Sequence, residues 1–377
     1  MGAAESISVL LAGGGSAGHV SPLLATADAL TRRHPEVRVA ALGTERGLEA
    51  RLVPARRIPL HAVPRVPMPR RPDAAVLRFP AMLRAAVAAA GAAIDETGAQ
   101  VVVGFGGYVS SPAYLAARRR GIPIVVHEGN ARPGFANRLG ARLTRHVATT
   151  FASTHLPHAQ CLGMPLRREI TTLDRAARRA EARAFFELAP EATTLLVTGG
   201  SLGAQRLNES IAASAGTLAA VGVQVVHIAG PGKQVTAPPA GDGGPSAGAD
   251  LPYRVLDYVD RMDLAYAAAD LVVCRAGANT VCELTAVGLP AAYVPLPIGN
   301  GEQRLNAAGV VAAGGGLLVD DAECTPAWVD GVLVPLVRDR DRLAAMSAAA
   351  AGVGRRDADE ALAALVERAA AGGEGAR

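Results

Sequence analysis

Short, continuous apolar runs recur along the chain: "ISVLLA", "VRVAAL", "QVVVGF", "IPIVVHE" and "HVATT", then "TTLLVTG", "VQVVHIAG", "DLVVCRAG" and "LPAAYVPL". Longer stretches with helical spacing separate them. A strand that is apolar at every position, rather than at alternate ones, is buried on both faces, as strands are inside a parallel sheet covered by helices. The pattern predicts an α/β protein.

Glycine-rich turns follow several of these runs. The first spells Gly13-x-Gly15-x-x-Gly18, the lettering of a dinucleotide fingerprint. That reading also asks for an acid at the end of the next strand, to hold a ribose. Here "VRVAAL" runs into Gly43 and Thr44 before Glu45, slightly too late. What the turn does offer is a helix N-terminus with no side chains in the way, which is either an anion site or a tight turn without a ligand. Three more such turns, "GFGGYVSSP", "GGSLGAQRLN" and "RAGANTVCELTAVGLP", each come just after a predicted strand. Ligands of doubly wound sheets lie at that end of the strands. The four turns together point to a nucleotide diphosphate and a second polar substrate.

"LLAGGGSAG", ending at Gly18, and "LLVTGGSLG", ending at Gly203, form a weak internal repeat. Two copies of one strand-turn-helix unit imply two Rossmann-like domains facing each other. The first is expected over 1–165 and the second over 166–355, with "GMPLRRE" (Gly163 to Glu169) as the linker and Pro165 following a short strand that ends at Leu162. Val63 to Pro72 is proline-rich and reads as an extended surface segment. Ala237 to Asp250 reads as a mobile loop, and the terminal "AAAGGEGAR" as a frayed end.

Composition narrows the picture further. A chain of 377 residues exceeds the roughly 100 to 200 of one ordinary domain. Half of it is hydrophobic and 19% charged, so it has material for full-sized cores. A net charge of +4 gives no reason to expect nucleic acid as a partner. Cys161, Cys274, Cys282 and Cys324 form no C-x-x-C pair, which predicts reduced thiols in the cytoplasm rather than a zinc site or disulfides. No secretory signal is visible at the amino end, and no apolar stretch reaches the roughly 18 residues of a membrane span. Asp339-x-Asp341 and Asp357-x-Asp359 have the spelling of a metal-nucleotide motif but fall in charged helical patterns, where solvated faces are expected. No metal site and no cofactor follow from the sequence.

Seven motifs in order, "GGGSAGHVSP", "GFGGYVSSP", "HEGNARPGFANR", "GMPLR", "GGSLGAQRLN", "CRAGANTVCELTAVGLP" and "EQRLNA", span about residues 7 to 320. In order and spacing they resemble the bacterial transferases that add N-acetylglucosamine to undecaprenyl-pyrophosphoryl-N-acetylmuramyl-pentapeptide. The resemblance implies the GT-B fold, with parallel sheets facing across a cleft, and a final helix, here about 357–370, that crosses back to the first domain. It implies transfer from UDP-N-acetylglucosamine to the C4 hydroxyl of the lipid-linked acceptor, with inversion, in peptidoglycan synthesis. It also implies an enzyme peripheral to the cytoplasmic face of the membrane, near other proteins of wall synthesis.

Residue by residue, the resemblance implies that the donor is touched by Ser16, Ala17, Gly18 and Asn130 in the first half, and by Arg167 of "GMPLR", whose fixed charge would offset pyrophosphate. In the second half it implies Ser201, Val259, Arg275, Ala278, Asn279, Thr280, Glu283, Glu302, Gln303 and Asn306. Bland readings stand beside these. Ser201 has the place of a helix N-cap, Thr280 to Glu283 spells a capping box, and Arg275 could be an ordinary surface arginine. Many relatives carry paired glutamines where this chain has Glu302-Gln303, and leucine where Asn279 stands.

Gly14, Gly15, Gly106 and Gly107 are expected to offer amides to the acceptor's pyrophosphate. His19, at the far end of the first turn, either packs over the first helix or takes the proton of the attacking hydroxyl. His127 and Glu128 are rivals for that task, and Tyr108 would orient the acceptor. Arg65, Arg70, Arg71, Arg78 and Arg84 interleave with Val76, Leu77, Phe79, Met82 and Leu83, a pattern suited to a helix lying in a membrane surface or to one packed on the sheet. Other readings remain at this point: another GT-B transferase, a UDP-sugar epimerase, a nicotinamide oxidoreductase, or a nucleotide-binding protein without turnover.

Overall fold

The structure is a computed structural model that describes residues 7–66, 74–200, 203–235 and 251–374. The chain divides into two compact units. One is residues 1–167 with 357–377, and the other is 168–356.

The first unit is built on a parallel sheet of seven strands: β1 (Ser8–Ala12), β2 (Arg38–Gly43), β3 (Leu60–Ala62), β4 (Val101–Gly104), β5 (Ile124–Glu128), β6 (His146–Thr149) and β7 (Ala159–Cys161). Their spatial order is β3-β2-β1-β4-β5-β6-β7. Helices α1 (Ala17–Arg33), α2 (Leu48–Ala55), α3 (Ala74–Thr97), α4 (Gly107–Arg120) and α5 (Phe135–Gly140) connect them. The central strands are buried along their whole length, so each contributes to two cores. Val9, Leu11, Val101 and Val103 meet α1 on one face. Leu10, Ala12, Val102 and Val126 meet α3 and α4 on the other.

The chain returns to this unit at its end. The helix Ala358–Glu374 places Leu362, Val366 and Ala369 in the same core as α1. Arg32 pairs with Asp359 at 2.6 Å, and Arg33 with Glu367 at 2.5 Å. Two sequence expectations are corrected here. Asp359 is not on a solvated face but 3% exposed against Arg32. The end does not fray from Ala369, because Ala369 and Ala370 are buried and the helix runs to Glu374.

The second unit carries a parallel sheet of six strands: β8 (Thr193–Thr198), β9 (Val223–Ile228), β10 (Tyr253–Leu256), β11 (Leu271–Cys274), β12 (Ala291–Tyr293) and β13 (Gly316–Leu318), in the order β10-β9-β8-β11-β12-β13. In both sheets the order reverses beside the strand that precedes a repeated glycine turn: at β1/β4 and at β8/β11. Gly15 and Gly200, at matching places in the repeat, both have left-handed φ, +84° and +77°. The helices after them start differently. α1 begins at Ala17 with Ser16 as N-cap, whereas the second begins at Gln205 with Ala204 as N-cap. The N-cap reading of Ser201 therefore fails, and Ser201 itself lies outside the described residues, as do Arg70, Arg71 and the stretch 237–250. Asp339 caps the helix Arg340–Val353, accepting from the Arg342 amide at 2.8 Å.

Candidate active site

In the first unit the turns after β1, β4 and β5 gather at the carboxyl edge, beside the reversal of strand order, where open α/β sheets bind ligands. The turn after β1 lies against the one after β4. A Cβ on Gly107 would stand 2.6 Å from the Gly14 carbonyl oxygen, and one on Gly106 3.1 Å from the His19 ring. Both glycines have left-handed φ, +98° at Gly106 and +80° at Gly107. Only glycine combines that backbone with that approach.

His19 sits in the first turn of α1, half-buried. Its Nδ1 is 3.0 Å from the Gly14 carbonyl and 3.2 Å from Ser16 Oγ. A carbonyl only accepts, so Nδ1 carries the proton and Nε2 carries the lone pair.

The rivals are placed differently. His127 is fully buried, its Nε2 donates to the Gly163 carbonyl at 3.0 Å, and burial pushes its pKa down to about 4. Glu128 is 3% exposed and its oxygens are occupied. Oε1 accepts from the Asn130 amide at 2.9 Å, and Oε2 from the Gly134 amide at 2.9 Å and Asn137 Nδ2 at 3.0 Å. Asn137 in turn accepts from the buried Tyr114 hydroxyl at 2.8 Å. Glu128 therefore closes the "HEGNARPG" loop. Tyr108 opens α4, is 38% exposed, and has the Arg65 guanidinium 5.3 Å above its ring.

One residue that the sequence reading passed over lies beneath the glycine turn. Glu49, on α2, has no exposed surface and accepts the Gly15 amide at 3.0 Å. The Gly15 amide, expected to serve a pyrophosphate, is thus already donated to a carboxylate. A buried anion at that point also argues against a dinucleotide there. The sequence signal is faint: an acid after the Gly43 to Gly47 turn, four residues beyond Glu45.

In the second unit the turns after β8, β11 and β12 gather at the corresponding edge. The helix Ala278–Ala286 has Gly277 as N-cap, so Thr280 lies inside it, and Thr280 to Glu283 is not a capping box. Glu283 is instead held by the Tyr266 hydroxyl, 2.7 Å from Oε2. Ala278 is buried, while Asn279 and Thr280 are half-buried in the same first turn. Gln303 and Glu302 open the helix Glu302–Ala312, and Gln303 Oε1 accepts the Leu296 amide at 2.9 Å, fixing the loop after β12. Asn306 is buried and reaches the Ala276 carbonyl at 3.3 Å, tying that helix to the turn after β11. Val259 is 9% exposed.

Arg275 is no loose surface arginine. It pairs with Asp321 at 2.6 Å and donates to the Val294 and Pro295 carbonyls, each at 3.2 Å, so its charge is already matched. The same unit holds a second buried network. His227 Nε2 donates to Asn208 Oδ1 at 3.0 Å and its Nδ1 faces the Tyr253 hydroxyl at 2.7 Å, with the pKa pushed down to about 4 by burial. Of the expected donor contacts, Ser16, Ala17, Gly18, Asn130 and also Arg167 belong to the first unit, and the rest to the second. Among the described residues no cluster of His, Cys, Asp and Glu suits a metal ion.

Two domain families match the chain: the glycosyltransferase family 28 N-terminal domain over residues 9–149 and its C-terminal domain over 194–362. The chain belongs to glycosyltransferase family 28, and its two doubly wound units are the GT-B fold. It is 60% identical to the UDP-N-acetylglucosamine:N-acetylmuramyl-(pentapeptide) pyrophosphoryl-undecaprenol N-acetylglucosamine transferase of a Nocardioides species, covering 95% of this chain and 97% of that one. It is 59% identical to the transferase of the same name from Acidothermus cellulolyticus, over 96% of this chain and 98% of that one. Among solved structures, MurG of Acinetobacter baumannii is similar at a TM-score of 0.78 and 30% identity, with 96% of this chain and 99% of that one covered.

Proposed function

We propose that the protein transfers N-acetylglucosamine from UDP-N-acetylglucosamine to the C4 hydroxyl of undecaprenyl-pyrophosphoryl-N-acetylmuramyl-pentapeptide, forming a β1,4 link with inversion, in peptidoglycan synthesis. The observation that carries this is the 60% identity, over nearly the full length of both chains, to a transferase of that name. The donor binds chiefly to the second unit. Glu283, held in place by Tyr266, accepts from the ribose hydroxyls; the backbone around Ala278, Asn279 and Thr280 and the loop bearing Ser201 surround the diphosphate. Gln303, Glu302 and Asn306 address the sugar, and Val259 meets the uracil. Arg167, Ser16, Ala17, Gly18 and Asn130 complete the donor contacts.

The first unit receives the acceptor, with Gly14, Gly106 and Gly107 close to its pyrophosphate and Tyr108 beside it. His19 Nε2 takes the C4 hydroxyl proton as that oxygen bonds to C1 of the donor sugar. The bond from C1 to the diphosphate oxygen breaks and UDP leaves with the electron pair. Loop amides and helix N-termini stabilise the departing charge. Of the acids that spell a metal-nucleotide motif, Asp339 is a helix cap and Asp359 meets Arg32. The departing charge is assigned to these amides and helix termini.

Among the described residues no helix is long and apolar enough to cross a membrane. The amino-terminal part of α3 instead exposes Arg78, Arg84 and Met82 and half-exposes Phe79 and Leu83, which suits docking on an anionic leaflet. The cytoplasmic face of the membrane, where the lipid acceptor and other wall-synthesis proteins are met, is the proposed location.

The test is sugar transfer to a lipid-linked acceptor in excess EDTA, run with UDP-N-acetylglucosamine, UDP-glucose and UDP-N-acetylgalactosamine, with NADH binding measured in parallel. Transfer from the first donor at an undiminished rate is expected. A rate that collapses and returns with magnesium would overturn the metal-free chemistry, and NADH binding without UDP binding would overturn the function.

A further inference from the structure

We infer that Glu49 is the positioning residue for His19, acting through the single peptide group that joins Gly14 to Gly15. The Gly15 N–H donates to Glu49 Oε2 at 3.0 Å, and the Gly14 carbonyl receives His19 Nδ1–H at 3.0 Å. These are the two ends of one resonance-coupled amide. A carboxylate drawing on its N–H increases the negative charge on its oxygen, and hydrogen bonds in such a chain strengthen one another. The histidine is thereby held with Nδ1 protonated and Nε2 open, the form that accepts a proton from a substrate.

The surroundings are built for this carboxylate. Glu49 has no exposed surface, and its Oε1 accepts from Thr44 Oγ1 at 2.6 Å and from the Thr44 amide at 3.2 Å. Burial pushes its pKa up, but the bonds from Thr44 and Gly15 outweigh that and hold it below the ordinary carboxylate value, so the group is an anion. Glycines leave the space it occupies. A Cβ on Gly14 or on Gly47 would lie 2.5 Å from a Glu49 oxygen, and one on Gly43 2.8 Å from its Cγ. Three turns thus close over one buried charge whose free contact is the peptide that orients His19. The catalytic consequence rests on the reading of His19 as the base; the orientation does not.

Glu49→Gln separates the two. The Thr44 amide and hydroxyl both donate to Oε1, the hydroxyl sharing its one proton with the Arg46 carbonyl, so the carboxamide oxygen favours Thr44 and the NH2 group then faces the Gly15 N–H, donor against donor. The measurement is a long-range 1H–15N spectrum of the full chain with labelled histidine, the His19 signals assigned by their loss in His19→Ala. Wild type is expected as the Nδ1–H tautomer and Glu49→Gln as a mixture. Its kcat is expected to fall roughly 10- to 100-fold, the range lost with the partner that orients a metal-bound histidine, with KM for UDP-N-acetylglucosamine unchanged. A tautomer that stays Nδ1–H in Glu49→Gln overturns the inference, whatever the rate does. A released tautomer with undiminished kcat supports the positioning and overturns His19 as the base. If Glu49→Gln does not fold, Thr44→Val removes the 2.6 Å bond that locks Oε1. A smaller shift of the tautomer is then expected, and none would overturn the inference.

Discussion

His19→Ala is expected to lower kcat by roughly 10²- to 10⁴-fold, the range lost with a positioned proton acceptor, while the affinity for UDP-N-acetylglucosamine barely changes. The split follows from placement. His19 stands on the first unit, whereas Glu283, Gln303 and Asn306 stand on the second. An effect on kcat alone identifies an interaction made in the transition state and not in the donor complex. Imidazole is suited to the task because its neutral ring donates from one nitrogen and offers a lone pair on the other. The substitution leaves the Gly14–Gly15 peptide and Glu49 in place, so the turn itself should persist. The readouts are steady-state transfer kinetics and calorimetric titration with the donor. Retention of more than about a third of kcat, far above what loss of a base permits, would return His19 to a structural role. His127 and Glu128 are poor heirs, one fully buried and the other accepting three N–H bonds.

What the sequence made legible, and what it did not, follows from how far apart the interacting residues are. The interior strands were readable because burial on both faces writes an unbroken apolar run. The four edge strands β3, β7, β10 and β13 did not write one, and three of them were not expected at all. Most of their residues are exposed or half-exposed, as in Leu60–Ala62, Ala159–Cys161 and Tyr253–Leu256. The fourth, β7, was seen only as a short strand before Pro165. The glycine turns of the repeat were legible because the need is local, though not which glycine would take the left-handed φ. Helix starts were less so, since Thr280 to Glu283 has capping-box letters but Gly277 already begins the helix. Glu49 was illegible for the opposite reason to the glycine turns. Nothing near it in sequence shows that its helix will carry it beneath a turn 34 residues earlier. The same is true of Asp359, whose partner Arg32 is 327 residues away.

Both units are expected to lose stability between pH 6.5 and 5, before most carboxylates titrate. Each contains a histidine that is neutral because it is buried, His127 in the first and His227 in the second, each with a pKa pushed down to about 4. In the unfolded chain both return to about 6.5. Above that value the folded and unfolded states bind the same number of protons, and these groups contribute no pH dependence. Below it the unfolded state takes up protons that the folded state refuses, so stability falls with pH until about pH 4. At pH 5 the deficit is about 1.5 pH units, or about 2 kcal/mol per histidine at 1.36 kcal/mol per unit, and near pH 4 about 3 kcal/mol. Carboxylates such as Glu49 and Asp263, held below their ordinary values, lose their contribution only at lower pH, so the upper window belongs to the histidines. Each neutral ring has a structural reason. His227 donates to Asn208 and, when neutral, accepts the Tyr253 hydroxyl, and it is burial that disfavours its charge. His127 is fully buried and its Nδ1 has no partner among the described residues, so a charge there would be unpaired. Amide hydrogen exchange at pH 7 and pH 5, corrected for the intrinsic pH dependence of exchange, reads the two units separately. His127→Asn should weaken the dependence in the first unit, where His146, also lowered by burial, keeps part of it, and His227→Gln should flatten it in the second, each leaving the other unit unchanged. Equal protection of wild type at both pH values would show that these rings are already charged, or already open to water, in the folded protein.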